Sequence, residues 1–373
     1  MTVLLVVLAV GFAYSMGAHY TGACMGMPHA LRAIGARNAL LVMAPLTLMG
    51  AALASHGVEH TVGHDLLTGP GLSVSGLVIV VGVAFGLTSL FNVVRVPTST
   101  IQILVFSMAG AGLAAGIDVH WATIGTLAVI WVTAPVVAGL LGYVLTRVLD
   151  LVPSVRVQAR VTGGVLAGAT ARQPPAEGGA AATVPAAPAA PARRDGADGE
   201  AGDDAGGRSA GGPLAVALIT VGALASFAMG GNDVANATGS LVGTGTFAPL
   251  TAGLIGGAGL AAGVLTWGRP LLGKVAFDIV TVDRPMATAA QLVQAAVVLA
   301  AVGFGFFTSM NQALIGAMTG AAAARGRRTV HSAALYGVLR GWLIGPGAAI
   351  VLGYAIGWLV AATTGVHTLL AGA

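Results

Sequence analysis

The chain has 373 residues, 56% hydrophobic and 8% charged, with a formal net charge of +4 and a mean hydropathy of +0.89. A soluble globular domain carries about 25% charged residues, so the composition excludes one and points to an integral membrane protein in a lipid bilayer. The single cysteine, Cys24, excludes a disulfide framework and a cysteine-rich metal site. No nucleic-acid partner, cofactor or resident metal is expected.

In chain order, the first half offers five apolar segments, near 3–30, 39–55, 73–95, 98–116 and 121–148. The opening run Val3–Ala13 has no basic region before it and is mirrored at Leu214–Ala228, so it is read as a retained helix rather than a leader. At its end stands the polar stretch Ser15-Met16-Gly17-Ala18-His19-Tyr20-Thr21-Gly22, in which His19 is either a proton-coupling group or a packing residue. His56, His60 and His64 recur every four residues beside Glu59 and Asp65. A zinc-binding face is conceivable there, but a solvated polar loop is the plainer expectation. Pro97-Thr98-Ser99-Thr100-Ile101-Gln102 places a proline and three hydroxyls at the start of an apolar segment, the pattern of a capped helix opening. Hydroxyls and free N–H groups there suit a tetrahedral oxyanion.

From about 150 to 212 the composition shifts to Ala, Pro, Gly, Arg and Asp, which cannot bury a core and reads as a disordered linker. The second half repeats five apolar segments, near 214–243, 247–267, 287–306, 308–324 and 331–360. The first of them contains Gly230-Gly231-Asn232-Asp233-Val234-Ala235-Asn236-Ala237. A carboxylate at the bilayer centre costs roughly 2.5–3.5 kcal/mol on the lenient insertion scale and usually faces a site. The glycines predict a helix break over 230–245, with Asn232, Asp233 and Asn236 as hard oxygen ligands for a coupling cation. Thr308-Ser309-Met310-Asn311-Gln312 is placed like Pro97–Gln102. Arg340 lies well inside a predicted span and needs a partner, either Asp233 or the anionic substrate.

The halves match each other. Trp131, Pro135, Gly142 and Tyr143 recur as Trp342, Pro346, Gly353 and Tyr354 at the same internal spacing, and His19 and Tyr20 fall where the other copy has Asn232 and Asp233. With five segments per half, the second copy enters the membrane from the opposite side. Arg32, Arg37, Arg95, Arg147, Arg156 and Arg160 then share one side with Arg269, Lys274, Arg284, Arg325, Arg327 and Arg328. The opposite loops carry Glu59, Asp65 and Asp118 but no such cluster. The positive-inside rule puts the linker in the cytoplasm and both termini outside, for a multi-pass protein of the plasma membrane. The expected fold is an all-α integral membrane protein: an inverted-repeat secondary transporter of two five-span halves with interrupted helices. Residues 1–149 form the first repeat, 150–212 the cytoplasmic linker, and 213–373 the second, inverted repeat.

On these residues the chain resembles the inorganic phosphate transporter (PiT) family, which carries Gly-Ala-Asn-Asp-Val-Ala-Asn-Ala and Pro-Val-Ser-Thr-Thr-His-like signatures in each half. Gly230–Ala237 matches the first closely and Pro97–Gln102 the second in part. The first-half motif has lost its Asn-Asp pair, as in the sulfate permease (CysP-like) branch of that family. The resemblance implies cation-coupled (Na+ or H+) secondary transport of inorganic phosphate by alternating access, with sulfate as the alternative, and no enzymatic activity. A passive anion channel, a non-transporting paralogue and an intramembrane enzyme using His19 and Asp233 stand behind it. Ser99, Thr100, Gln102, Ser309, Asn311, Gln312 and Arg340 would bind substrate; Asn232, Asp233, Asn236 and His19 would bind the coupling ion. A homodimer is compatible with the sequence.

Overall fold

The computed structural model describes residues 1–69, 71–153, 212–273, 282–326 and 332–370. The linker expected at 150–212 lies almost wholly outside them, as do Lys274, Arg327, Arg328 and His331. The described residues are helical, apart from two isolated β-bridges. Lipid offers no partner for backbone polar groups, which makes helix the natural form for such apolar segments.

The first half contains α1 (Thr2–His19), α2 (Thr21–Ala30), α3 (Ala36–Ala54), α4 (His56–His64), α5 (Val74–Val94), α6 (Thr100–Ala114) and α7 (Trp121–Leu149). The second contains α8 (Pro213–Gly243), α9 (Pro249–Trp267), α10 (Arg284–Gly303), α11 (Met310–Ala324) and α12 (Ser332–Thr364), with short 3-10 turns at Arg269–Leu271 and Val366–Leu369. Among the described residues, eight stretches are long and apolar enough to cross a membrane, α1 and α2 counting as one 29-residue rod with an irregularity at Tyr20. This is a multi-pass membrane protein.

Three expectations change. Residues 98–116 and 308–324 are not full spans: α6 and α11 have 15 residues each, about 22 Å of helix against a hydrocarbon core of about 30 Å. Each is preceded by a non-helical entry, Val96–Ser99 and Gly305–Ser309, whose last residues, Thr98 and Ser99, and Phe307 to Ser309, are buried. The break expected at 230–245 does not form, because α8 runs unbroken for 31 residues through the Asn-Asp motif. Its glycines serve close packing instead. A Cβ on Gly230 would stand 2.0 Å from the Thr47 carbonyl oxygen of α3. Finally, the 56–64 stretch is a helix, α4, rather than a loop.

The two halves exchange partners reciprocally. α3 packs on α8 while α1 packs on α9; α6 packs on α12 while α7 packs on α11. Within each half, α1 packs on α5 and α8 on α10. Small residues let the backbones approach, as membrane helix pairs require: a Cβ on Gly320 of α11 would fall 1.8 Å from the Gly139 carbonyl oxygen of α7. α7 and α12 keep apolar outer faces, with Leu140, Val144, Leu343 and Val351 exposed. At one end of the bundle Arg325, just past α11, ties three helix ends. It grips Asp150 after α7 with two bonds, 3.1 and 2.5 Å, and pairs with the fully buried Asp283 that caps α10.

Gly320→Val should force α7 and α11 apart and lower stability by roughly 1–3 kcal/mol, the usual cost of overpacking. Gly347→Ala, where a new Cβ meets nothing within 4 Å, should leave it nearly unchanged. Thermal unfolding of the two variants in detergent checks the difference.

Candidate functional site

The entries to α6 and α11 carry backbone groups that no helix satisfies, deep in an apolar protein where each unmade bond costs several kcal/mol. One side chain from the first helix of each half meets them. Asn232 of α8 grips Thr308 in both directions: its Nδ2 donates to the Thr308 carbonyl at 2.9 Å and its Oδ1 accepts from the Thr308 N–H at 3.1 Å. At the matching position of the first half, His19 Nε2 lies 3.3 Å from the Thr98 nitrogen and 3.2 Å from its carbonyl oxygen. The entries then open into helices capped alike: Ser99 accepts from the Gln102 N–H and Ser309 from the Gln312 N–H, each at 3.4 Å.

The two clamps are unequal. Asn92 of α5 donates through Nδ2 to the Ser15 carbonyl at 2.8 Å, which leaves Oδ1 facing His19 Nδ1 at 2.6 Å. With the amide assigned from this network, His19 is protonated on Nδ1. In the neutral ring Nε2 is then an acceptor and takes the Thr98 N–H. Unlike Asn232, it cannot also donate to the Thr98 carbonyl. Asn311, the second residue of α11, supplies that bond across the halves, Nδ2 to Thr98 O at 3.0 Å, with His19 Nε2 at 3.4 Å. The starts of α6 and α11 are therefore cross-linked at the centre of the molecule. Both point positive dipole ends and first-turn N–H groups there, an arrangement suited to an anion.

Asp233 sits beside this point with no exposure to solvent. Its Oδ2 accepts from Asn232 Nδ2 at 3.1 Å, and the Tyr20 hydroxyl, itself 2.9 Å from Thr100 Oγ1, lies against the carboxyl. Oδ1 of Asp233 has no hydrogen bond among the described residues; nor do the side-chain oxygens of Asn236, Gln291, Gln294, Asn311 and Gln312. These acceptors stand on α8, α10 and α11, and α10 packs on both of the others. Hard oxygens without donors suit a small cation or a proton-bearing ligand.

Of the residues singled out in the sequence, His19, Ser99, Thr100, Gln102, Asn232, Asp233, Asn236, Ser309, Asn311 and Gln312 are all buried. Asn236 touches Met16 Sδ at 3.9 Å. Arg340 is the exception. It is exposed, with its guanidinium over the Tyr336 ring at 5.9 Å, and the structure brings it neither to Asp233 nor to the α6 entry. The next residue explains why: the Gly341 carbonyl accepts from Thr98 Oγ1 at 3.4 Å, so the inward face of α12 is glycine and Arg340 falls outside it. Sequence reasoning missed Asn92, Gln291 and Gln294. Asn92 was legible as the lone amide of α5, and the two glutamines as an i, i+3 pair on one face of α10.

Fold and centre together define a polytopic helical membrane protein built around a sealed polar core. The chain belongs to the phosphate transporter family, whose sequence pattern matches residues 16–353. That is a family of transporters, not of enzymes. The chain is 31% identical over 150 residues to the "Probable low-affinity inorganic phosphate transporter" of Streptomyces halstedii, covering 39% of this chain and 69% of that one. It is 31% identical over 132 residues to the chloroplastic "Inorganic phosphate transporter 2-1" of Arabidopsis thaliana. That match spans 32% of this chain and 22% of the relative's length. A solved structure described as "The sodium-dependent phosphate transporter" shares the fold, with a TM-score of 0.76 over 97% of this chain and 100% of that one at 21% identity.

Asn232→Ala removes both bonds to Thr308. Hydrogen–deuterium exchange should speed up in a peptide covering 304–312 and stay unchanged in one covering 94–101, which relies on the other clamp.

Proposed function

We propose that this protein is a secondary active transporter of inorganic phosphate across the plasma membrane, working by alternating access and coupled to a cation, Na+ or H+. The observation that carries the proposal is the Asn311–Thr98 bond, which brings two helix N-termini to one buried point next to the Asp233 carboxylate. In this reading the anion meets Ser99, Thr100 and the first-turn N–H groups of α6, and Ser309 and Asn311 of α11. Gln102 and Gln312 offer unbonded amide oxygens on the first turn of each helix. An acceptor there suits phosphate, which keeps a proton at neutral pH, better than sulfate, which has none to donate. Asn232, Asp233 and Asn236 hold the coupling cation and cancel its charge, and His19 tunes the first-half clamp. The name of the structural neighbour, sodium-dependent, favours Na+ for that role. Residues 1–149 and 213–373 act as inverted repeats, a plan supported by the reciprocal packing of the halves. The distribution of basic residues supports a cytoplasmic linker with both termini outside.

Uptake of labelled phosphate and sulfate into proteoliposomes, with and without a Na+ gradient, tests this. Phosphate should accumulate and sulfate should not. Asp233→Asn should lower phosphate uptake roughly tenfold or more, the equivalent of at least 1.4 kcal/mol of lost coupling. Failure of both anions to accumulate would contradict the reading.

A further inference from the structure

Glu59 stands outside the site described so far. It lies on the buried face of α4 with no solvent exposure, packed against the end of α8. Its Oε1 is 2.7 Å from Thr238 Oγ1, and its Oε2 has no hydrogen bond among the described residues. No salt bridge is formed to it among the described residues, and the only positive influence on it is His56, one turn back on α4. On its own helix stand His56, His60 and His64. α8 carries one titratable residue, Asp233, and α9 carries none. Arg284 begins α10, whereas α4 meets that helix at its other end, near Val302.

The Thr238 hydroxyl has one hydrogen and two claimants. It lies 2.7 Å from Glu59 Oε1 and 3.0 Å from the Val234 carbonyl oxygen. With Glu59 ionised, the hydroxyl donates to the carboxylate. With Glu59 protonated, the acid O–H donates to Thr238 Oγ1, and the hydroxyl turns to the Val234 carbonyl. Each state leaves every hydrogen bonded, so the pair accepts either charge state without rearranging a helix. A small cation, by contrast, would find few free oxygens: Thr238 is engaged, and the neighbouring Ser55 hydroxyl donates to the Ala51 carbonyl at 2.7 Å. One turn beyond Glu59 on α4, a cavity of about 130 Å³ is lined by Val62, Gly63 and His64 of α4 and by Ser240, Gly243 and Thr244 around the end of α8. In the other direction along α8, Asp233 is five residues from Thr238, about 7.5 Å of helix rise.

We propose that the Glu59–Thr238 pair is a proton-binding site between that cavity and the Asp233 centre, through which pH at that end of the bundle controls flux. A proton from water in the cavity forms the Glu59 O–H bond, and its return to water breaks that bond. Nothing else changes hands. The proposal rests on the transport reading for its effect on flux, but not for the binding itself. Burial pushes the Glu59 carboxyl up from its ordinary value, against the pull of the Thr238 hydroxyl and of nearby His56. The protonated form therefore persists above the usual carboxylate range and is lost as pH rises further.

Two readouts on the full-length protein test it. In infrared difference spectra recorded across an acidifying pH step, the purified protein should gain a protonated-carboxyl C=O band. One component of that band should be lost in Glu59→Gln and shifted in Thr238→Val. In proteoliposomes, phosphate uptake by the unaltered protein should vary with pH at the face bearing α4, whereas Glu59→Gln, a permanent mimic of the protonated acid, should lose that dependence and still transport. A band that survives Glu59→Gln unchanged overturns the proton site. An unaltered pH profile of uptake in that variant overturns its control of flux. Absence of uptake in the unaltered protein would instead sink the transport reading, leaving the infrared test to decide the site.

Discussion

The structure depends on satisfying two stretches of non-helical backbone inside a membrane protein. The buried ends of these stretches, Thr98–Ser99 and Phe307–Ser309, carry peptide groups where lipid and water both fail to help. Their partners come from the first helix of each half, His19 and Asn232. That requirement explains why costly polar residues sit in α1 and α8, and why α8 stays helical through them. A broken α8 would add unsatisfied groups of its own, whereas a continuous one supplies a side chain to the entry of α11.

The inequality of the clamps shapes the centre. An amide can donate and accept together; a neutral imidazole nitrogen cannot. Asn311 fills the missing bond to Thr98, and in doing so fastens the start of α11 to the start of α6. The convergence of two positive helix ends thus goes with this unequal clamp as well as with the packing. Asp233 is the one carboxylate near that point among the described residues, and Tyr20 stands against it from α1. A single acid limits how many cations the centre can neutralise.

Much of this was legible in the sequence. Hydropathy marked ten apolar segments, because burial in an apolar medium imposes a simple rule on composition, but it did not show that the two at 98–116 and 308–324 are too short in helix to span. The hydroxyl motifs gave both helix openings, since Ser99 and Ser309 cap as their spacing demands. The octapeptide misled in one respect: glycine weakens an isolated helix, but Gly230 is there because α3 approaches within contact of the α8 backbone. Arg340 misled in another, because one-dimensional depth does not say which face of α12 a residue occupies. Glu59 read as a loop acid because α4 is too short and polar to announce itself, and only its packing on α8 shows it buried. Pairings such as Asn92 with His19 depend on contacts 73 residues apart, which periodicity cannot reveal.

The proposed oxyanion site lies where α6 and α11 begin. Equilibrium dialysis of labelled phosphate against the purified protein measures this without needing flux. One saturable site is predicted, weakened by Asn311→Leu, which unfastens the two helix starts, and indifferent to Arg340→Leu on the outer face. Saturable binding that persists in Asn311→Leu and disappears in Arg340→Leu would contradict it.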